Sequence, residues 1–348
     1  MVDHSRSQET QGIGTHRLNQ LRSAAGSGPV LIVTHDNPDP DALASGKALG
    51  TLFREAWHIP IRLVYSGLVA RAENRAVFDD LTPEWEFMDQ LTRLEQYSAV
   101  ALVDTQPGAG NNSLPASYIP RIVMDHHHPL REALSQVEFV DVRPEIGATV
   151  SLVYQYMEAA GIIPDSDLAT AMFYGVQTDT LGLARGASEV DETVYIKLLG
   201  WLDRRKLIRI EQAGLPRDYF RAFSRGLRAA QLFGESVIAD LGDLHRPDLT
   251  AEMADLLIRY EGARAALCLG SYEEILYLSL RTELNQDAGL MVQKIIVPPG
   301  KAGGHGRMAG GQVPLAGQDA RVVTTEIEHR FLVLIGEPES AGEPLLNV

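Results

Sequence analysis

Cysteine is almost absent: Cys268 is the only one in 348 residues. A single thiol cannot close an intrachain disulfide, so a small secreted scaffold stapled by bridges is excluded. Cys268 sits in the apolar run Ala265-Ala266-Leu267-Cys268-Leu269 and reads as a small buried hydrophobe. Long apolar runs are missing too. No stretch reaches the roughly 20 apolar residues that cross a bilayer. The opening MVDHSRSQETQGIGTHR has no apolar centre of the kind a signal peptide carries. The expectation is a cytoplasmic protein with no membrane partner. Positive charge is also in deficit. Lys+Arg number 31 against 46 Asp+Glu, a net charge of −15. Such a surface repels duplex phosphate, so broad coating of duplex DNA is not expected. A local basic groove, or bound metal ions, could still hold a phosphorylated substrate.

What remains is an ordinary globular composition, 45% hydrophobic and 22% charged. The length suits roughly two domains at about 150 residues each. Residues 1 to 16 are polar. Short β-rich runs then alternate with longer helical patterns. Pro29 to Thr34, Ile61 to Tyr65, Ala99 to Val103, Arg121 to Met124 and Val137 to Val142 read as strands. Ala42 to Trp57, Gly147 to Ala160 and Asp167 to Gln177 read as helices. Continuous apolar strands between helices argue for an α/β fold, a mainly parallel sheet flanked by helices, over 17–200.

Residues 201–230 change character. Arg204, Arg205, Lys206, Arg209, Arg217, Arg221, Arg225 and Arg228 fall in a stretch with no strand signal. It reads as a helical connector. Its basic residues are either a solvated helix face or a functional patch. A smaller C-terminal α/β domain with a mixed sheet is expected over 231–340. Its strands are Ser236 to Leu241, Ala265 to Leu269 and Ile275 to Leu280, and its helices begin near Glu252, Asp287 and Asp319.

Chemistry concentrates where strands end. Thr34-His35-Asp36-Asn37-Pro38-Asp39-Pro40-Asp41-Ala42 lies directly after one strand and before a helix. Ligands of open α/β sheets bind at such carboxyl ends. Pro38 and Pro40 keep Asn37 and Asp39 out of helical geometry, so His35, Asp39 and Asp41 can project into one crevice. The alternative is that Asp41 merely caps the helix. The pattern recurs, however. Strand 99–103 runs into Asp104, strand 121–124 into Asp125-His126-His127-His128, and Asp179 follows a helical segment in Thr178-Asp179-Thr180. Clustered acids repel one another, and a pair of divalent cations would neutralise them. Carboxylates with some imidazole and no thiolate suit Mn²⁺ or Mg²⁺, and the histidines favour Mn²⁺.

THDNPDPDA, VDT, MDHHHP and QTDT together resemble, in order, the four motifs of the DHH phosphoesterases. The resemblance implies two metal ions. His35 and Asp39 would hold one. Asp41, His126 and Asp179 would hold the other, and Asp104 would bridge both. It further implies that Asp125 orients a histidine and that His127 touches the substrate phosphate. Lys301-Ala302-Gly303-Gly304-His305-Gly306-Arg307-Met308-Ala309-Gly310-Gly311 resembles the GGGH motif of the DHH-associated C-terminal domain, with Ala302 and Met308 as departures. By that resemblance Arg281, Gly303, Gly304 and His305 would bind substrate, the guanidinium as a bidentate clamp on phosphate. The nanoRNase and pAp-phosphatase branch has both domains and implies short nucleotidic substrates: oligoribonucleotides, linear dinucleotides such as pApA, or pAp. A polyphosphate or pyrophosphate hydrolase and a non-catalytic nucleotide-binding module are the alternatives. By analogy, a homodimer through the first domain is expected.

Overall fold

Six parallel strands form the framework that carries the acids. They are β1 (Val30–Val33), β2 (Ile61–Tyr65), β3 (Glu86–Phe87), β4 (Ala99–Val103), β5 (Ile122–Asp125) and β6 (Phe139–Val142). Their order across the sheet is β3-β2-β1-β4-β5-β6, with every pairing parallel. The chain builds outward from β1 to β3, then returns to lay β4 on the other side of β1. The order therefore reverses between β1 and β4. A crevice opens at the carboxyl ends of strands at such a switch point. The segments leaving β1, β4 and β5 all open at that end. The structure, a computed structural model, describes residues 13–296, 298–337 and 342–346.

Strand alternation sorts the sheet's two faces. Val30, Ile32, Ala99, Ala101, Val103, Ile122 and Met124 pack with the helices α1 (Thr15–Ala25), α2 (Pro40–Trp57), α4 (Thr149–Ala159) and α5 (Ser166–Thr180). Leu31, Val33, Val100, Leu102 and Val123 form the other face, covered by Leu91, Leu94 and Leu114. Around this core lie α3 (Ala72–Leu81), α6 (Glu189–Leu198) and α7 (Arg204–Glu211). The five strands expected from the sequence are present. The sixth, β3, is two exposed residues long, too short to show a periodicity.

The chain divides after Ala213 into two units. The second begins with α8 (Arg217–Ala229) and contains β7 (Gln231–Phe233), β8 (Ser236–Asp243), α9 (Leu249–Leu257), β9 (Ala265–Tyr272) and β10 (Ile275–Thr282). It continues with α10 (Ala288–Ile295), β11 (Lys301–His305), β12 (Met308–Pro314), α11 (Ala320–Ile335) and β13 (Glu343–Pro344). The strands make one mixed sheet ordered β11-β12-β10-β9-β8-β7-β13, in which β8 and β9 run parallel. Along β9, Ala265, Leu267 and Leu269 pack toward α10 and α11, while Ala266 and Cys268 pack toward α8 and α9. Cys268 is buried, as its apolar neighbours implied, and burial pushes its thiol pKa up.

The stretch 201–230 differs from the single connector expected. Its first helix, α7, packs on α3 and α5 within the first unit. Its second, α8, packs on β8 and α9 within the second. Each helix has apolar residues to bury, Ile210 in α7 and Ala222 with Gly226 in α8. The helix before Asp179 also runs further than expected, through Thr180, so Asp179 stands in its last turn.

Candidate metal centre

β1 delivers His35 and then Asp39. Asp39 is the N-cap of α2: its Oδ1 accepts from Ala42 N at 3.0 Å, with Pro40 in the first helical position. Pro is tolerated there because its missing N–H would have had no partner. Asn37 is left-handed, at φ 58°, which swings the chain back toward the strand ends. So Asp39, not Asp41, caps the helix, and Asp41 is free for another task. It is fully buried, and its two oxygens accept from Val150 N at 2.8 Å and Thr149 N at 2.7 Å. These are first-turn amides of α4, whose positive end favours a carboxylate. Ser45 Oγ donates to the same group at 3.3 Å.

Asp104 leaves β4 at φ 60° and accepts at Oδ1 from Thr149 Oγ1 at 2.7 Å. His126 and His127 leave β5. Asp179 arrives from α5 because Gly175, one turn earlier on the same face, lets the helix close on α2. A Cβ at Gly175 would lie 3.1 Å from Asp41 Cα.

Three sets of ligand atoms converge: His35, Asp39 and Asp104; Asp41, His126 and Asp179; and Asp104, His126 and His127, with the atoms of each set within 4.8 Å of one another. The sets share Asp104 and His126 and so adjoin. His35 Nε2 is 3.4 Å from Asp104 Oδ2 and 3.8 Å from Asp39 Oδ2. His126 Nε2 is 3.6 Å from both Asp104 Oδ1 and Asp179 Oδ2. The Nδ1 atoms of His35 and His126 meet the carbonyls of Asp36 at 2.9 Å and Ile146 at 3.1 Å. A carbonyl only accepts, so Nδ1 carries the proton and Nε2 faces the carboxylates. That is how protein partners present an imidazole to a metal.

The electrostatics show what this cage lacks. Burial, then the charges of Asp104 and Asp39, push Asp41 well above the usual carboxylate range against the pull of the α4 amides. Burial and the charges of Asp39, Asp41 and Asp104 do the same to Asp179. Burial opposes charge on His35, but the neighbouring carboxylates of Asp104 and Asp39 hold its imidazolium well above its ordinary range. Burial likewise opposes charge on Asp104, where the nearby imidazoles of His35, His127 and His126 keep the carboxyl low. Repulsion among the buried carboxylates thus opposes their joint ionisation, which a positive charge among them would offset. Asp104 Oδ2 and His126 Nε2 are buried without a hydrogen-bond partner among the described residues. Unpaired buried acceptors are costly unless something fills the space between them. Carboxylate oxygens, imidazole nitrogens and no thiolate fit hard divalent cations.

Residues 29–176 match the family model described as the DHH family, N-terminal domain. The first unit is thus similar to the DHH family's N-terminal domain across its whole parallel sheet. An uncharacterized protein of Methanocaldococcus jannaschii is 31% identical over 82% of this chain and 58% of its own length. The bifunctional oligoribonuclease and PAP phosphatase NrnA of Thermus thermophilus is 26% identical over 83% of each. A probable manganese-dependent inorganic pyrophosphatase of Streptococcus agalactiae is 25% identical over 53% of this chain and 58% of its own. The chain thus spans under two thirds of the first and third of these relatives. An exopolyphosphatase-related protein from Bacteroides fragilis shares the fold, with a TM-score of 0.72 at 14% identity over 92% of this chain and 97% of that one.

The DHH triplet itself divides its labour. Asp125 Oδ1 accepts from His127 Nδ1 at 2.8 Å, and its Oδ2 accepts from Gln106 Nε2 at 2.7 Å. Gln106 also donates to His127 O at 2.8 Å. Burial works against charge on His127, yet Asp125 and Asp104 raise its pKa to about 9. Thr149 and Gln106 were absent from the residues expected from sequence. Gln106 directly follows the VDT motif, a signal that was available. Thr149 looks like any helix-start threonine.

The remaining expected residues lie in the second unit. Arg281 is on β10, and its Nε donates to Asp255 Oδ1 at 2.5 Å. The glycine-rich segment 301–311 forms a hairpin of β11 and β12, pairing Gly303 with Gly310 and Gly304 with Ala309. Gly304 has φ 134°, and a Cβ there would lie 2.4 Å from Ala309 Cα, so only glycine fits. β11 is the outer strand of its sheet. His305 ends β11, and its side chain lies outside what is described. No helix among the described residues is long and apolar enough to cross a membrane.

Proposed function

We propose that the chain is a divalent-metal phosphoesterase that hydrolyses short nucleotidic substrates. The carrying observation is the adjoining pair of ligand sets, His35-Asp39-Asp104 and Asp41-His126-Asp179. In this reading each set holds one ion, Asp104 is shared, and Mn²⁺ is preferred. When bound, the ions supply the positive charge that lowers the pKa of water toward neutrality and stabilises an in-line displacement at phosphorus. The chain's own residues do the rest. Thr149 and the α4 amides fix the orientations of Asp104 and Asp41 before substrate arrives. His127 has Nδ1 committed to Asp125, so its other ring N–H can donate to a phosphoryl oxygen as charge develops there. Arg281, Gly303, Gly304 and His305 bind the remainder of the nucleotide.

The NrnA match supports nucleotidic substrates because it runs over 83% of both chains. A second reading, pyrophosphate or polyphosphate hydrolysis, has the Streptococcus relative in its favour, over 53% of this chain. The test is a panel of pApA, a pentaribonucleotide, pAp, cyclic dinucleotides, pyrophosphate and polyphosphate with the Mn²⁺-loaded protein. Release of mononucleotide or phosphate from the nucleotidic members is expected. Turnover of pyrophosphate or polyphosphate alone would establish the second reading. Nucleotide binding with no product would make the chain a binding module.

A further inference from the structure

The metal centre leaves one strongly patterned element unused, helix α8. Tyr219, Ala222, Phe223 and Leu227 turn toward the core of the second unit, and Gly226 lies against Met253 and Leu241. At 100° per residue, Arg217, Arg221, Ser224 and Arg228 then fall within one narrow stripe on the opposite side. All four are exposed. Phe220 flanks the stripe at 60% exposure, and Arg225 borders it on the other side. An open groove of about 800 Å³ runs along this face.

The arginines differ in what holds them. Arg225 donates to the carbonyls of Leu241 at 2.5 Å and Asp243 at 2.6 Å, so it has a structural duty. Arg221 reaches Asp218 at 2.8 Å, an exposed pair that contributes little to stability. Arg217 and Arg228 pair with no acid or carbonyl among the described residues. In a chain of net charge −15, a row of exposed guanidinium groups on one helix is a local inversion of sign.

We propose that this face of α8 is a binding surface for the backbone of single-stranded RNA, separate from the metal ligands. Arg217 and Arg221 are about 6 Å apart along the helix axis, a step comparable to that between neighbouring phosphates of an extended strand. Ser224 and Arg228 continue the row. Phe220 supplies a sequence-tolerant platform for a base, the usual companion of a basic groove in single-strand recognition. A membrane surface fits less well, because an interfacial helix buries its apolar side in lipid, and that side of α8 is spent on the protein core. The substrate reading of the preceding section is not needed for this surface to bind.

The test is fluorescence anisotropy of a labelled 12-nucleotide single-stranded RNA with the full chain in EDTA, where no turnover occurs. Arg217→Gln/Arg221→Gln/Arg228→Gln is expected to weaken binding at least tenfold at low salt. It should also make the slope of log K against log salt shallower by about 2, from three phosphate contacts at about 0.7 each. Phe220→Ala should weaken binding with the slope unchanged. pApA turnover by the triple variant should equal that of the parent. Unaltered RNA affinity in both variants, or no binding by the parent, would overturn the proposal. So would variants that lose affinity for phosphatidylserine vesicles but keep it for RNA. A parent that binds RNA through α8 but hydrolyses no nucleotide would refute the substrate reading and leave this one standing.

Discussion

Thr149→Val isolates a single interaction in the metal centre. Thr149 is fully buried, and its hydroxyl donates to Asp104 Oδ1 at 2.7 Å. Valine keeps the shape and the branched Cβ. It also keeps the backbone N–H that serves Asp41. What disappears is one hydrogen bond to an ionised acceptor, worth about 1.5–3 kcal/mol. Asp104 Oδ2 already lacks a hydrogen-bond partner among the described residues, and Oδ1 would keep only imidazole nitrogens at 3.6 Å. The carboxylate shared by two ligand sets would then be free to turn. Loss of such an orienting partner typically costs 10–100-fold in metal affinity, about 1.4–2.8 kcal/mol, which agrees with the hydrogen-bond figure. Calorimetric titration of Mn²⁺ into the full chain should show that loss, and Thr149→Ser should restore most of the affinity. A valine variant that binds Mn²⁺ as tightly as the parent would refute the orienting role.

Asp104→Ala should abolish most Mn²⁺ binding and nearly all hydrolysis while the circular dichroism spectrum stays unchanged. Retained turnover would rule out a shared ligand. Arg281→Ala should raise KM for a nucleotide substrate about tenfold with metal content unaltered. An unaltered KM would leave Arg281 only as the partner of Asp255. Glu328 on α11 gives a pH prediction away from the metals. Burial, then the charge of Asp240, raises its pKa from 4.5 to about 7. The folded state therefore holds a proton that the unfolded chain has lost between those values. Its contribution is fully present below pH 4.5, falls as pH rises toward 7, and is gone above it, a loss of about 3 kcal/mol. Glu328→Gln should flatten that part of the stability profile and raise the melting temperature at pH 8. A profile identical to the parent's would show that Glu328 ionises without penalty.

How much was legible in the sequence depends on whether a residue declares its role by type. His35, Asp104 and the Asp125-His126-His127 run could be found because each follows an apolar strand, and a charged group at a strand exit has few other reasons to be there. Asp41 was harder. Two residues' difference in where α2 begins decides whether it caps its own helix or accepts from the amides of α4, and capping geometry is settled only by packing. Thr149 and Gly175 carried no signal at all. One is a common helix-start residue, the other a glycine in a helix, and their importance comes from what the fold brings to them. β3 was missed because two exposed residues show no period.

The basic stretch illustrates the same limit in another way. Counting charges over 201–230 cannot tell a solvated helix from a binding face, because both read as arginine among alternating apolar residues. The distinction needs the direction of burial. Once Ala222 and Gly226 are seen to face the sheet, the positions of Arg217, Arg221 and Arg228 follow from 3.6 residues per turn. They form a row rather than a scatter. A scatter of surface arginines offsets part of the negative charge and does little else. Only a row in register with a repeating anion can turn several weak exposed contacts into one salt-sensitive interaction.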